Sequence, residues 1–320
     1  MNSRRLLFST LGLGALSFSS AVAAADPIID TIAYYPYSIS GYVELRIGFD
    51  FGDQSGTYDN GAPQSWDETW SGLAFGGAGR AATALTSDLG VQGDVWFNGW
   101  FWESTISDTG HLPADFTATG STTEGGAAGH LNWRPDSSML VGVMASLGAE
   151  SSNFDGDGYG GLYGTVALEG AIGDEMWRAH GQVGVTGALA GDAGVDNVMD
   201  LYARGVFAYY LDPNLAVSAN LGIDSYSSDA NGATTETGFT WGARLEYKPA
   251  DMPFSGFVAY QGWGWSGEDD FPSDWSGTEH ALLVGMRIPF GADGATTLRA
   301  QDDAVGLYDM NAIYGENFVR

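Results

Sequence analysis

Apolar and polar side chains take turns from Gly41 to Gly52. Val43, Leu45, Ile47, Phe49 and Phe51 fall on one side, and Tyr42, Glu44, Arg46, Gly48 and Asp50 on the other. Period two predicts a strand with one apolar and one polar face. The same grammar returns along the chain. Leu89, Val91, Val95 and Phe97 alternate with Gln92, Asp94 and Asn98; Leu162, Val166 and Leu168 with Tyr163, Thr165 and Glu169. Trp177 to Val185, Leu201 to Tyr209, Leu215 to Ile223, Phe239 to Tyr247 and Leu282 to Phe290 repeat it, and Met139, Val141, Val143, Ala145 and Leu147 line a further face. The stretches 69–85, 124–134 and 254–265 are richer in Gly, and their alternation is weaker.

Connections alternate as well. Ser87-Asp88, Pro135-Asp136-Ser137, Gly173-Asp174-Glu175, Asp212-Pro213-Asn214 and Pro249 to Pro253 read as tight turns. Between them lie longer acidic or Gly-rich stretches at 53–68, 103–123, 149–158, 190–196, 227–234 and 266–277, read as loops. Strands near ten residues, with short turns at one end and longer loops at the other, predict an all-β fold, an antiparallel transmembrane β-barrel of about 12 strands. A soluble β-sandwich alternates too, but explains neither the strand length nor the alternation of connections. Pairing of Ile32–Ile39 and of Ile313–Phe318 would raise the count to 14.

Composition agrees. The chain has 48 Gly, 13% aromatics and no Cys, so β-structure is favoured over helix and no disulfide or thiolate metal site exists. After the N-terminal segment no apolar run is long enough for a membrane helix, so a membrane-embedded form must be a closed barrel. Met1 to Ala25 reads as a signal peptide, with Arg4 and Arg5, an apolar stretch, and small residues ending at Ala25. Residues 26–41 then form a periplasmic N-terminal segment, 42–290 the barrel and 291–320 a periplasmic C-terminal extension. The 12 Lys and Arg face 40 Asp and Glu, an excess of acid that argues against nucleic acid as a partner.

The segment Ala281-Leu-Leu-Val-Gly-Met-Arg-Ile-Pro-Phe290 resembles the assembly signal of Gram-negative outer-membrane β-barrel proteins, whose last strand alternates apolar residues and ends in Phe. The resemblance is to the porin-like class as a whole and covers the barrel. It implies a place in the outer membrane, contact with outer-membrane lipid, and recognition of Phe290 by the barrel-assembly machinery. The chain departs from that pattern in two ways: residues follow Phe290, and Pro289 removes one ladder donor.

Inside the barrel, parity gathers the charges. Arg46, Arg80, Arg178, Arg204, Arg244 and Arg287 take the polar side of their strands near short turns, and Glu44, Asp94, Glu169, Asp200 and Glu246 are assigned the same side and depth. They predict an Arg/carboxylate belt across the lumen. Such a belt is either a set of buried pairs or a constriction that selects ions and small polar solutes. The acid excess is assigned to loops and tail, with Asp53, Asp59, Asp67 and Glu68 in the first loop and Glu268, Asp269, Asp270 and Asp274 in the last, where divalent cations can gather. The lumen itself then reads as nearly charge-balanced.

Trp133, Trp177, Tyr209, Tyr247 and Phe254 are placed in one interfacial girdle, and Trp66, Trp70, Trp263, Trp265 and Trp275 in the other. Trp96, Trp100 and Trp102 take lumen parity, as a stacking surface for a sugar-like solute or as packing. Asn153, Asp155 and Asp157 match the first half of a calcium loop whose twelfth position, Gly164, breaks the pattern. No cofactor is expected.

The expected function is passive passage of small hydrophilic solutes or ions. The alternatives are a plugged structural or surface barrel and a lipid hydrolase built on outward-facing His280 with Ser276 nearby.

Overall fold

The computed structural model describes residues 39–59, 63–108, 116–136, 138–154, 157–191, 198–228, 234–269, 273–291 and 297–303. The signal peptide and residues 26–38 lie outside them, as do 292–296 and 304–320. The strands are β1 (Ser40–Asp59), β2 (Pro63–Ala84), β3 (Leu89–Asp108), β4 (Phe116–Asp136), β5 (Met139–Phe154), β6 (Asp157–Gly173), β7 (Trp177–Gly191), β8 (Met199–Asp212), β9 (Leu215–Ser228), β10 (Thr234–Tyr247), β11 (Ser255–Asp269) and β12 (Ser273–Phe290), followed by a short helix α1 (Leu298–Asp303).

Each strand pairs antiparallel with its neighbours in chain order, and β1 pairs with β12 from Gly41↔Phe290 to Tyr58↔Ser273, closing a barrel of 12 strands. The 14-strand alternative is excluded, because both edges of β1 are already occupied, by β2 and β12. Parity works as the alternation requires. Val43, Leu45, Ile47 and Phe49 are 47–51% exposed, while Tyr42, Glu44, Arg46 and Asp50 are exposed by 5% or less. An apolar exterior, a polar interior and no free backbone edge are the form that a strand protein takes in lipid.

The turns are built as their residues dictate. Asp136 Oδ1 accepts from the Ser138 amide at 2.7 Å, Asp174 Oδ1 from the Met176 amide at 2.7 Å, and Asp212 Oδ1 from the Asn214 amide at 2.7 Å. An acid that caps its own turn fixes both register and hairpin length.

Abundant glycine has a packing cause. The rings of Trp70, Trp96, Trp102 and Trp265 lie flat over Gly52, Gly126, Gly120 and Gly277 of adjoining strands, where a Cβ would stand 2.1–2.4 Å from ring atoms. Large rings fit a closed wall only beside a residue with no side chain.

Two readings of the sequence are corrected here. The stretches taken as long loops are largely strand: β1 runs to Asp59 and β2 starts at Pro63, β3 runs to Asp108, and β5 and β6 stay paired through Phe154↔Asp157. Beyond the bilayer the outer face needs no apolar residues, so alternation fades while the ladder continues. Accordingly Asn153 and Asp157 stand in a hairpin ladder rather than in a calcium loop, and Asp155 lies outside the described residues. The second correction concerns the loop-side girdle. Trp263 and Trp265 are buried in the lumen, and Trp70 and Trp275 pack against them. The girdle at the short turns stands, with Trp133 and Tyr247 more than half exposed on the outside.

The wall is uneven. β1 to β4 hold 20–22 residues each, whereas β7 to β11 hold 14–15. After β12 the chain turns sharply at Gly291, whose φ is +71° and where a Cβ would strike the Ile39 carbonyl, so glycine is required there. Phe290, the expected assembly residue, ends β12 facing outward, its ring over Gly41.

Candidate functional site: the lumen

The belt residues form two networks in the short-turn half of the lumen. Glu44 is the hub of the first. Its Oε1 accepts from Arg46 Nη1 at 3.3 Å; its Oε2 accepts from Arg244 Nη1 at 3.1 Å and from Arg287 Nη2 at 3.2 Å. Arg244 also donates to Glu246 at 2.6 Å, and Arg46 donates to Asn98, which donates to Glu124. Arg287 lies 4.4 Å from the Tyr42 ring centre and Arg244 3.4 Å from that of Phe257. Neighbouring strands put these groups at one depth: Glu44 faces Arg287 across the β1–β12 register.

The second network crosses β2, β3, β4, β6 and β7. Arg80 forms a two-pronged pair with Asp94 at 2.9 and 2.7 Å. His130 stands 3.0 Å from Asp94 through Nε2 and 2.7 Å from Glu169 through Nδ1. Gln182 donates to the other Glu169 oxygen at 3.3 Å, and His180 lies 3.9 Å from it. A guanidinium matched to both carboxylate oxygens is the strong form of ion pair. The bridging role of His130 was not legible, because parity places a side chain in the lumen but does not say which strand it reaches.

Of the remaining expected belt members, Arg178 and Arg204 stay in the short-turn half and Asp200 does not. Arg178 is buried but donates to the Asp302 carbonyl in α1 at 3.4 Å. Arg204 is half-buried and lies 3.9 Å from the Tyr202 ring centre. Asp200 stands at the loop-side end of β8, beside Thr186 and Tyr226, because β8 descends from Met199 and Asp200 comes before, not after, its apolar run.

Helix α1 occupies the short-turn mouth. Leu298 is fully buried among Ala208, Tyr210 and Ala216. Its amide donates to Asn214 Oδ1 at 3.3 Å, Arg299 donates to the Asp174 carbonyl at 2.9 Å, and Arg287 reaches Asp302 at 3.5 Å. At and beyond the belt the lumen is also filled by apolar side chains from facing walls. Trp100 of β3, Val206 of β8 and Phe257 of β11 share one apolar cluster. Trp96 and Trp100 are each 3% exposed, so protein covers the rings that a stacking solute would need; Trp102 is half-buried.

The loop-side half was misread. Outward of Arg46, Arg80, Arg244 and Arg287 on their strands, and anywhere on β3 and β11, there is no Lys or Arg. Yet Asp50, Glu68, Glu236 and Glu279 are buried there. Asp50 and Glu279 stand side by side there as hydrogen-bonding neighbours. Gln54 donates to Glu68 at 2.7 Å and Trp275 to Glu236 at 3.1 Å. The lumen is therefore not charge-balanced throughout. Glu68, assigned to a loop, is in it, whereas Asp53, Asp67, Glu268 and Asp274 are exposed.

Ser276 and His280 are not brought together. They lie on one face of β12 four residues apart, about 13 Å at about 3.3 Å per residue, and the hydroxyl at His280 is that of Tyr260.

Fold and lumen define a transmembrane β-barrel with a polar interior. No protein-family model matches the chain, and no curated protein matches it. Among solved structures it is similar to an outer-membrane channel from Pseudomonas putida F1 (14% identity, 83% of this chain and 100% of that one, TM-score 0.48). It is also similar to the transport unit of the autotransporter AIDA-I from Escherichia coli (9% identity, 81% and 93%, TM-score 0.48) and to the outer membrane protease OmpT from Escherichia coli (10% identity, 82% and 100%, TM-score 0.36). At such identities and scores these likenesses assign no activity to this chain.

Proposed function

We propose that the chain is an outer-membrane channel for small hydrophilic solutes or ions, held closed at its periplasmic mouth by its own C-terminal helix. The observation that carries this reading is the seat of α1. One buried leucine and a few polar contacts, at 2.9–3.5 Å, hold α1 in the mouth, a set that can separate without breaking the wall. The Arg/carboxylate belt behind it is the constriction that a solute meets next. A second reading, a filled barrel without transport, is favoured by the Trp100–Val206–Phe257 cluster.

Single-channel recording of the full refolded chain separates the two. Wild type is expected to open rarely. Leu298→Asp removes a buried leucine contact of about 2 kcal/mol and should raise the open-to-closed ratio by about 30-fold. Silence from both proteins overturns the channel and leaves the filled barrel.

A further inference from the structure

The outward face of β12 changes character at one residue. On the short-turn side of His280 stand Leu282, Val284, Met286, Ile288 and Phe290, all exposed; beyond it come Thr278, Ser276 and Asp274. β1 changes at the paired position, from Phe51 to Asp53. His280 therefore stands where the apolar band ends on the loop side.

Its surroundings are ordered. The ring is half-buried, 5.4 Å from Phe51, 6.0 Å from Tyr260 and nearly parallel to it, and 6.1 Å from Trp241 between centroids. Trp241 Nε1 donates to the Tyr260 hydroxyl at 3.2 Å, and that hydroxyl lies 2.9 Å from His280 Nδ1. The Trp241 ring is held over Gly262. The Tyr260 oxygen accepts from Trp241, and of the two directions open to the 2.9 Å contact we take the one in which the hydroxyl donates to Nδ1. The His280 proton is then on Nε2, and the chain Trp241 to Tyr260 to His280 ends in a donor on the lipid-facing wall.

A donor facing hydrocarbon without an acceptor is unfavourable. The next residue on that face of β12, Thr278, donates to Asp53 at 3.0 Å, so that pair turns to itself. A lipid phosphate would meet the Asp53 carboxylate. The acceptors found at the end of a bilayer's apolar band are neutral acyl carbonyls. We infer that His280, oriented by Tyr260 and Trp241, is a docking site for the acyl carbonyl of a loop-side-leaflet lipid, with Phe51 and Trp241 flanking the chain. The site is independent of what the lumen passes.

The test compares the full chain, labelled with 15N-histidine, in nanodiscs of diester and diether phosphatidylcholine of equal chain length. The chain has four His, and the spectrum of His280→Phe, an apolar replacement on the outer wall, identifies the signal. The expected result is an Nε2–H tautomer whose proton is protected from exchange in ester bilayers, with protection lost in ether bilayers that lack the carbonyl. Retention of diester lipid after detergent washing, read by native mass spectrometry, should fall about fivefold in His280→Phe, as for the loss of one hydrogen bond. Tyr260→Phe should leave the barrel intact and release the tautomer. An Nδ1–H tautomer in wild type, equal protection in both lipids (a phosphate or water acceptor), or unchanged lipid retention would each overturn the assignment.

Discussion

The two halves of the lumen handle charge in opposite ways. In the short-turn half, Arg46, Arg244 and Arg287 surround Glu44, and Arg80 with His130 surrounds Asp94. Each carboxylate answers a cation within the wall itself. In the loop half, Asp50, Glu68, Glu236 and Glu279 are buried with no Lys or Arg in that half of their own strands, and the Gln54 amide and the Trp275 indole donate to Glu68 and Glu236 instead. The first half is a polar core complete in itself. The second meets its acids with neutral donors. Net charge, summed over a chain, hides such a division; depth within the barrel reveals it.

Three substitutions sharpen this contrast, and the largest effect comes first. Glu44→Gln leaves three buried guanidinium groups short of their shared partner, and breaking a buried pair from one side costs about 3–5 kcal/mol. The urea midpoint of the detergent-refolded barrel should fall accordingly; an unchanged midpoint would mean that solvent, not Glu44, answers those charges. Glu279→Gln makes the same chemical change in the other half and should have the opposite sign. It removes one of two like groups forced together, so stability should hold or rise by up to about 1 kcal/mol, measured in the same way. A loss comparable to that of Glu44→Gln would erase the distinction between the halves. Asp302→Asn tests the edge of the paired half, where a 3.5 Å contact with Arg287 ties α1 to the wall. The expected change is smaller, a rise of about two- to fivefold in channel opening for about 0.5–1 kcal/mol, with no change in the urea midpoint.

The sequence carried the barrel wall almost whole, because alternation answers directly to lipid outside and water inside. It carried Glu44, Arg46, Arg80, Asp94, Glu169, Arg244, Glu246 and Arg287 into the lumen for the same reason. What it hid has physical causes. Asp50 already took the polar side of its strand, but Glu68 and Glu279 lie near or past the end of the apolar band, where both faces of a strand turn polar and parity loses its contrast. Trp263 and Trp265 look like interfacial anchors by type, yet outward glycines at 262 and 264 leave no apolar partner to mark the lipid side. Asp200 was misplaced because a depth counted from the nearest turn fails when the strand descends toward it.

The seat of α1 has a consequence in time. It draws on Asp174 after β6, Asn214 after β8 and Arg287 on β12. Those groups surround a common opening only after the first and last strands have zipped together. The helix follows β12 in the chain, so its seat is completed by the strand that closes the seam. Occupation of that seat in full is thus a sign that the wall around it is closed.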